Sequence, residues 1–279
     1  MKAIEFQILG VGAWGTGFLN WNDLSDILLG YSEGEEGLAK APKPEVIPAN
    51  ERRRAPLPVR LAVESSWQAV QNAGLDPVDL PCVFVSGIGD TQLTDYMCRV
   101  LAGENKALSP TKFHNSVHNA AAGYWTISTG CMQAANSVAG FQESVSLTLM
   151  EALVQCQTEN KPLLLTFYDA PSSEVLKELL KNEDPFSASI VIAPKDWSKQ
   201  HRNYIATIEN QGCEWPKFNS IRALEKMYST NPTAKIFSLL SLIAQTDDET
   251  KNDLNTISIS LPLSSQSRIT IELDYKSET

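Results

Sequence analysis

Gly10, Gly12 and Gly15 stand in the order Gly-x-Gly-x-x-Gly after the apolar run at residues 4–9. That pattern seats a dinucleotide pyrophosphate against a helix N-terminus. The surroundings do not support it. Residues 16–22 (TGFLNWN) make a poor helix, Trp14 is bulky beside the phosphate position, and no second apolar strand ends in an acidic residue ~20 positions on. A tight structural turn is the favoured reading of residues 10–15, and nucleotide binding remains the rival. His114 and His118 lie four apart, which on a helix would put both on one side and could hold a metal. No carboxylate or cysteine completes such a set, so two polar helix positions are the plainer reading, and neither metal nor cofactor is expected. Arg52, Arg53 and Arg54 with Arg60 form the basic cluster, which could receive an acidic protein or a phosphate, or simply pair with its own surface. Asp247, Asp248 and Glu249 read as a solvated loop. Nothing resembles a Ser-His-Asp triad or a P-loop.

The five cysteines (Cys82, Cys98, Cys131, Cys156 and Cys213) are odd in number and scattered, without a CxxC pair, which fits a reducing cytoplasm and excludes a recognisable zinc site. The chain has 279 residues, 43% of them hydrophobic, enough to bury a core in one large domain or two small ones. Its 33 acidic against 23 basic residues give a charge of -10, which argues against nucleic acid or an anionic membrane surface as a partner. No apolar run reaches the ~18 residues of a membrane span, and the first ten residues lack a signal peptide's apolar stretch and cleavage site.

The elements that must position these residues alternate in type. Strands are expected at residues 4–9, 81–86, 137–139, 163–168, 188–193 and 204–208. Residues 31–58, punctuated by prolines at 42, 44, 48 and 56, form a long loop. A helix follows Pro58, with Val59, Ala62, Val63, Trp67, Val70 and Ala73 on one face and Gly74 as its stop. Further helices are expected near residues 93–102, from Ser116 onward, and over 143–156, 173–181, 220–228 and 234–244. Ile257, Ile259 and Leu261 alternate, as do Ile269, Ile271 and Leu273 beyond a Ser-Ser-Gln-Ser turn, which makes a hairpin. The class is therefore α/β, a mostly parallel sheet flanked by helices with an antiparallel edge. The weakest candidate for a boundary is the polar stretch 195–203.

Ser109-Pro110-Thr111-x-Phe113 followed by Asn115-Ser116-Val117-x-Asn119-Ala120-Ala121-Ala122-Gly123 is a specific combination. It resembles the segment of β-ketoacyl synthases in which SP-x-x-F and N-x-x-AG precede the nucleophile. The opening ILGVGAWG, the stretch LAVESSWQAVQNAGLDP, the strand CVFVSGIGD and the later DPFSASIVIAP agree with this over residues 1–195. The likeness is greatest to short ketosynthase-like proteins that accompany full-length ketosynthases in aryl-polyene-type clusters. It implies the N-terminal half of a thiolase-like fold over 1–195, with residues 196–279 as an extension of helices and the β-hairpin packed on the same domain.

In the family the catalytic cysteine follows the Ala-Gly pair by about nineteen residues, at the N-terminus of a buried helix whose dipole, with a nearby His, lowers its pKa. Counting from Gly123, that place falls on Gln142, just before the helix at 143–156. A glutamine there is similar to the chain length factors of type II polyketide synthases. The rival register is Ile127-Ser128-Thr129-Gly130-Cys131, which looks like a nucleophile motif. It lies only eight residues past Gly123, leaving no room for a loop and strand, and no convincing helix follows it. The two histidines that serve condensation come, in the family, from the C-terminal half; the final stretch of this chain holds only His201, in neither motif context.

The resemblance therefore implies a catalytically inactive partner of a full-length β-ketoacyl synthase. The heterodimer would meet acyl carrier protein and acyl chain, with Phe113, His114, Val117, Asn119 and Phe141 at the tunnel or interface. Residues 234–244 (AKIFSLLSLIA) would cover the central helix in place of a second sheet. The alternative is a free-standing thiol enzyme using Cys131.

Overall fold

The computed structural model describes residues 3–34, 40–248 and 258–274. In chain order the elements are β1 (Ile4–Gly15), α1 (Trp21–Leu29), α2 (Ala49–Arg52), α3 (Leu57–Ala73), β2 (Cys82–Val85) and α4 (Thr91–Ala102). Next come α5 (Pro110–His114), α6 (Ala120–Thr129), β3 (Ala135–Val138), α7 (Ser144–Glu159), β4 (Leu163–Asp169), α8 (Lys177–Leu180) and β5 (Phe186–Pro194). The chain closes with β6 (Asn203–Glu209), α9 (Arg222–Thr230), α10 (Phe237–Asp247), β7 (Ser258–Ser264) and β8 (Ser267–Leu273). All eight strands join one sheet in the order β3-β2-β4-β5-β1-β6-β8-β7.

The α/β class holds, but the sheet is mixed rather than mostly parallel. Only β2 with β3 and β2 with β4 run parallel, whereas the ladders of β1 with β5 and β6, of β4 with β5, and of β8 with β6 and β7 are antiparallel. Alternation of strands and helices does not distinguish a crossover from a reversal, and β5 reverses. One face of the sheet is covered by α3 and α6, with Trp125 fully buried. The other is covered by α7, α10, α9 and α1, where Phe18, Phe186 and Phe237 meet edge to face. The apolar segment 234–244 is the 3-10 turn Thr233–Ile236 running into α10, and it shares a core with α7.

The largest departure from expectation is at the glycines. Residues 10–15 do not turn; they continue β1 as one twelve-residue strand. A Cβ on Gly10 would lie 2.3 Å from the Ala69 carbonyl oxygen, and one on Gly12 would lie 2.2 Å from that of Ser65. These glycines let the α3 backbone rest directly on the strand, a close approach that any side chain would block. Beyond them, residues 16–20 stay non-helical, as expected, and α1 starts at Trp21. Asn20 caps it by accepting from the Asp23 amide, and Gly30 closes it in a left-handed conformation. The expected helix at 173–181 shrinks to α8, and the segment expected to be helical from Ser116 breaks between α5 and α6. The hairpin forms as expected, although Ile257 falls outside the described residues, as does Glu249 of the acidic loop.

Candidate functional site

The chain enters α7 through a 3-10 turn, Phe141–Glu143. Phe141 has φ +48°, a left-handed conformation that is rare for a bulky residue. Two hydrogen bonds hold it there. The Gly140 amide donates to Ser144 Oγ at 3.0 Å, and the Glu143 amide donates to the Gly140 carbonyl at 3.1 Å. Backbone strain held in this way concentrates at functional sites. Gln142 sits at the centre of the turn, half-buried, at the positive end of the α7 dipole. A thiol placed here would ionise readily; an amide can donate and accept hydrogen bonds but cannot form a thioester. Glu143 itself makes no side-chain cap.

Cys131 has the opposite setting. It follows Gly130 at the C-terminal, negative end of α6, is buried, and donates to the Leu80 carbonyl at 3.4 Å. Residues 120–129 form a helix within the stretch expected to be helical from Ser116, but that helix precedes the cysteine, and β3 rather than a helix follows it. Its neighbour Cys82 is pushed up to about 12, first by burial and then by Cys131. The geometry gives Cys131 packing and one hydrogen bond, and burial disfavours ionisation of Cys82.

Phe113 and Val117 are 58% and 53% exposed, and His114 and Asn119 are exposed beside them. Asn119 stands at the N-cap of α6 without a capping hydrogen bond. His114 ends α5 and His118 lies in the break before α6, so the two imidazoles do not share a helix. Among the described residues no group of three or more metal-binding side chains exists. Ile127 and Met132, 83% and 92% exposed, add to the apolar surface of the same segment, and β3, next in the chain, is an edge strand with exposed residues. Of the arginines, Arg54 pairs with Glu51 at 3.7 Å and Arg52 donates to the Pro44 carbonyl at 3.0 Å.

Behind Val117 lies a cavity of about 160 Å³ between the start of α3, the loop after β2 and the break before α6. A second, of about 340 Å³, adjoins it and shares Asn115 with it. Beneath runs a network that sequence reasoning missed. Asp169, fully buried at the end of β4, accepts from Ser86 Oγ (2.7 Å), the Gly87 and Ile88 amides (3.2 Å each) and Thr233 Oγ1 (2.9 Å). Burial nevertheless raises it to about 6, against the pull of those four donors. Its one signal in the sequence is an acid closing the apolar run Leu163–Asp169.

The family model described as β-ketoacyl synthase, N-terminal domain, matches residues 31–238, about three quarters of the chain. A comparison with curated proteins found no match. Among solved structures, the ketosynthase (ApeO) in complex with its chain length factor (ApeC) from Xenorhabdus doucetiae is similar, with TM-score 0.68 and 15% identity over 96% of this chain and 99% of that one. AntDE:AntF, a type II polyketide synthase acyl-carrier protein in complex with its ketosynthase, gives TM-score 0.74 and 10% identity over 97% and 99%. The ishigamide ketosynthase/chain length factor gives 0.66 and 10% over 97% and 99%. No helix among the described residues is long and apolar enough to cross a membrane. With a thiolase-like sheet flanked by helices and a family match over most of its length, this chain belongs to the β-ketoacyl synthase N-terminal domain family.

Proposed function

We propose that this chain is a ketosynthase-like subunit without condensing activity of its own. In this reading it is a chain length factor that pairs with a complete β-ketoacyl synthase in the cytoplasm and walls its acyl tunnel during polyene or fatty-acid-like polyketide synthesis. The observation that carries it is Gln142, an amide in a strained turn at the N-terminus of α7, a helix with one face in the core. That is where a ketosynthase needs a thiolate. The partner would supply the cysteine, both histidines and the docking of acyl carrier protein. Residues 1–195 act as the half-thiolase unit and 196–279 as its extension. Phe113, Val117, Ile127 and Met132 give this subunit an exposed apolar surface of the kind that obligate partners cover.

The test is co-expression with the ketosynthase encoded beside it, followed by incubation with acyl-carrier thioesters. An equimolar complex acylated only on the ketosynthase chain is the expected result. A compact monomer with no affinity for any ketosynthase, or an acyl group found on Cys131, would overturn it.

A further inference from the structure

We infer that a cavity on the free side of β1 binds a zwitterionic amino acid with an apolar side chain, its carboxylate held by Arg202 and its ammonium by Asp247. The site lies apart from the residues assigned above, and nothing in it depends on a ketosynthase.

The cavity exists because β1 outruns its neighbour. β6 starts at Asn203, opposite Gln7, whereas β1 continues beside β5 as far as Gly15. Along residues 8–11 the side of β1 that would face β6 has no strand, and a space of about 480 Å³ opens there. Small-molecule sites run from roughly 300 to 1,000 Å³. Asn72, near the end of α3, borders it and donates from Nδ2 to the Val11 carbonyl at 2.6 Å. Ile8, Ile243 and the half-buried Trp21 supply an apolar wall.

Charge sets the class of ligand. Arg202, just before β6, and Asp247, the last residue of α10, both line the cavity, and neither has an ion-pair partner among the described residues. Desolvation raises the Asp247 carboxyl, with Arg202 and then His201 pulling the other way, so the two charges sense each other without touching. An added ammonium would favour the ionised carboxyl further. The helix ends nearby have the same polarity. α10 presents its carbonyl end at Asp247 with no basic residue in its last turn, and α1 presents its amide end at Trp21 and Asn22. The acid in the first turn of α1, Asp23, is engaged by the Leu19 amide and Asn20 Nδ2. Two other lining groups are satisfied within the protein: His201 Nδ1 bonds to Ser198 Oγ at 3.1 Å, and the Tyr204 hydroxyl to Thr246 Oγ1 at 2.8 Å. A simple anion in this space would face Asp247, and a simple cation would face Arg202. A molecule carrying both charges meets both.

L-Leucine and two near-isosteres form the probe set: 3-methylbutylamine, which lacks the carboxylate, and 4-methylpentanoate, which lacks the ammonium. Titrated into the full chain, or into its ketosynthase complex, and followed by NMR or calorimetry at neutral pH, leucine should bind about tenfold tighter than either. A site built around a polar group rejects the analogue lacking its counterpart. Arg202→Gln should erase the advantage over 3-methylbutylamine, and Asp247→Asn the advantage over 4-methylpentanoate. Neither side chain lies in the core, so both variants should fold, and each checks the other. Equal affinities for the three probes, indifference to both substitutions, or no saturable leucine binding (Arg202 and Asp247 meeting through water only) would each overturn the inference. Failure here leaves the ketosynthase pairing standing, and a failed pairing leaves this site standing.

Discussion

The Ser146 hydroxyl, in the first turn of α7, donates a hydrogen bond to the carbonyl oxygen of Pro262 on β7. Ser146 is fully buried, and β7 packs on both α7 and the turn carrying Gln142. The last hairpin of the chain thus roofs the helix terminus that carries Gln142. Ser146→Ala would strand the Pro262 carbonyl, and the expected loss is about 1–3 kcal/mol. Urea melts of the two proteins measure it; unchanged stability would mean that water reaches Pro262.

Asp169 gives the fold a pH dependence of definite sign. Its folded pKa is raised from 3.8 to about 6, so its contribution to stability is fully present below pH 3.8 and is lost as pH rises through 6. The size is on the order of 2–3 kcal/mol. Measured against Asp169→Asn, which cannot titrate, the native chain should lose stability between about pH 4 and 6. A constant difference over that range would show that the four donors outweigh burial.

Gly12→Ala tests the contact between β1 and α3. The new methyl would overlap the Ser65 carbonyl, and both elements lie in the core, so relief requires moving the helix. A loss of about 3 kcal/mol in chemical denaturation is expected. The same change at Gly123, where a Cβ meets nothing within 4 Å, should cost far less.

Cys131→Ala in the assembled complex should leave turnover within a few-fold, since a packed thiol stabilises no transition state. Gln142→Cys should not create condensing activity, because in the proposed pairing the histidines that serve the reaction would come from the partner. Steady-state assays of both variants decide; about a hundredfold fall in kcat for Cys131→Ala, with assembly intact, would return the nucleophile to that residue.

If the chain walls an acyl tunnel as proposed, length control would follow from hard-sphere exclusion at the tunnel end. Forcing further methylenes against a filled wall costs roughly 1–3 kcal/mol, about a tenfold to hundredfold bias against one more elongation. Phe113→Ala or Phe141→Ala should lengthen the carrier-bound products, and Val117→Phe should shorten them, as read by mass spectrometry. An unmoved profile in all three assembled variants would leave only a scaffolding role.

Local signals were readable and long-range ones were not. The apolar face of α3 with Gly74 behind it, the alternation in β8 and the low charge of α7 each act over a few residues, and each predicts its element. Gly10 and Gly12 misled because a glycine's role depends on what approaches it, and Ser65 and Ala69 are more than fifty residues away. Strand direction in β5 escaped for the same reason. Counting along a motif reached the turn at the start of α7, where Gln142 lies. The cavity behind Val117 could not be reached so, since Ser86, Asn115 and Tyr168 meet only once β2, β4 and the break before α6 are in place.

The two edges of the sheet are unlike. On β7 the ladder is interrupted at Pro262, which has no amide proton to offer, and the register shifts between Pro262 and Ser264. β3, at the opposite edge, is short and carries neither proline nor charge. A strand laid along β7 would therefore find a missing donor at Pro262, whereas β3 offers an uninterrupted backbone edge, which makes β3 the edge better suited to strand addition.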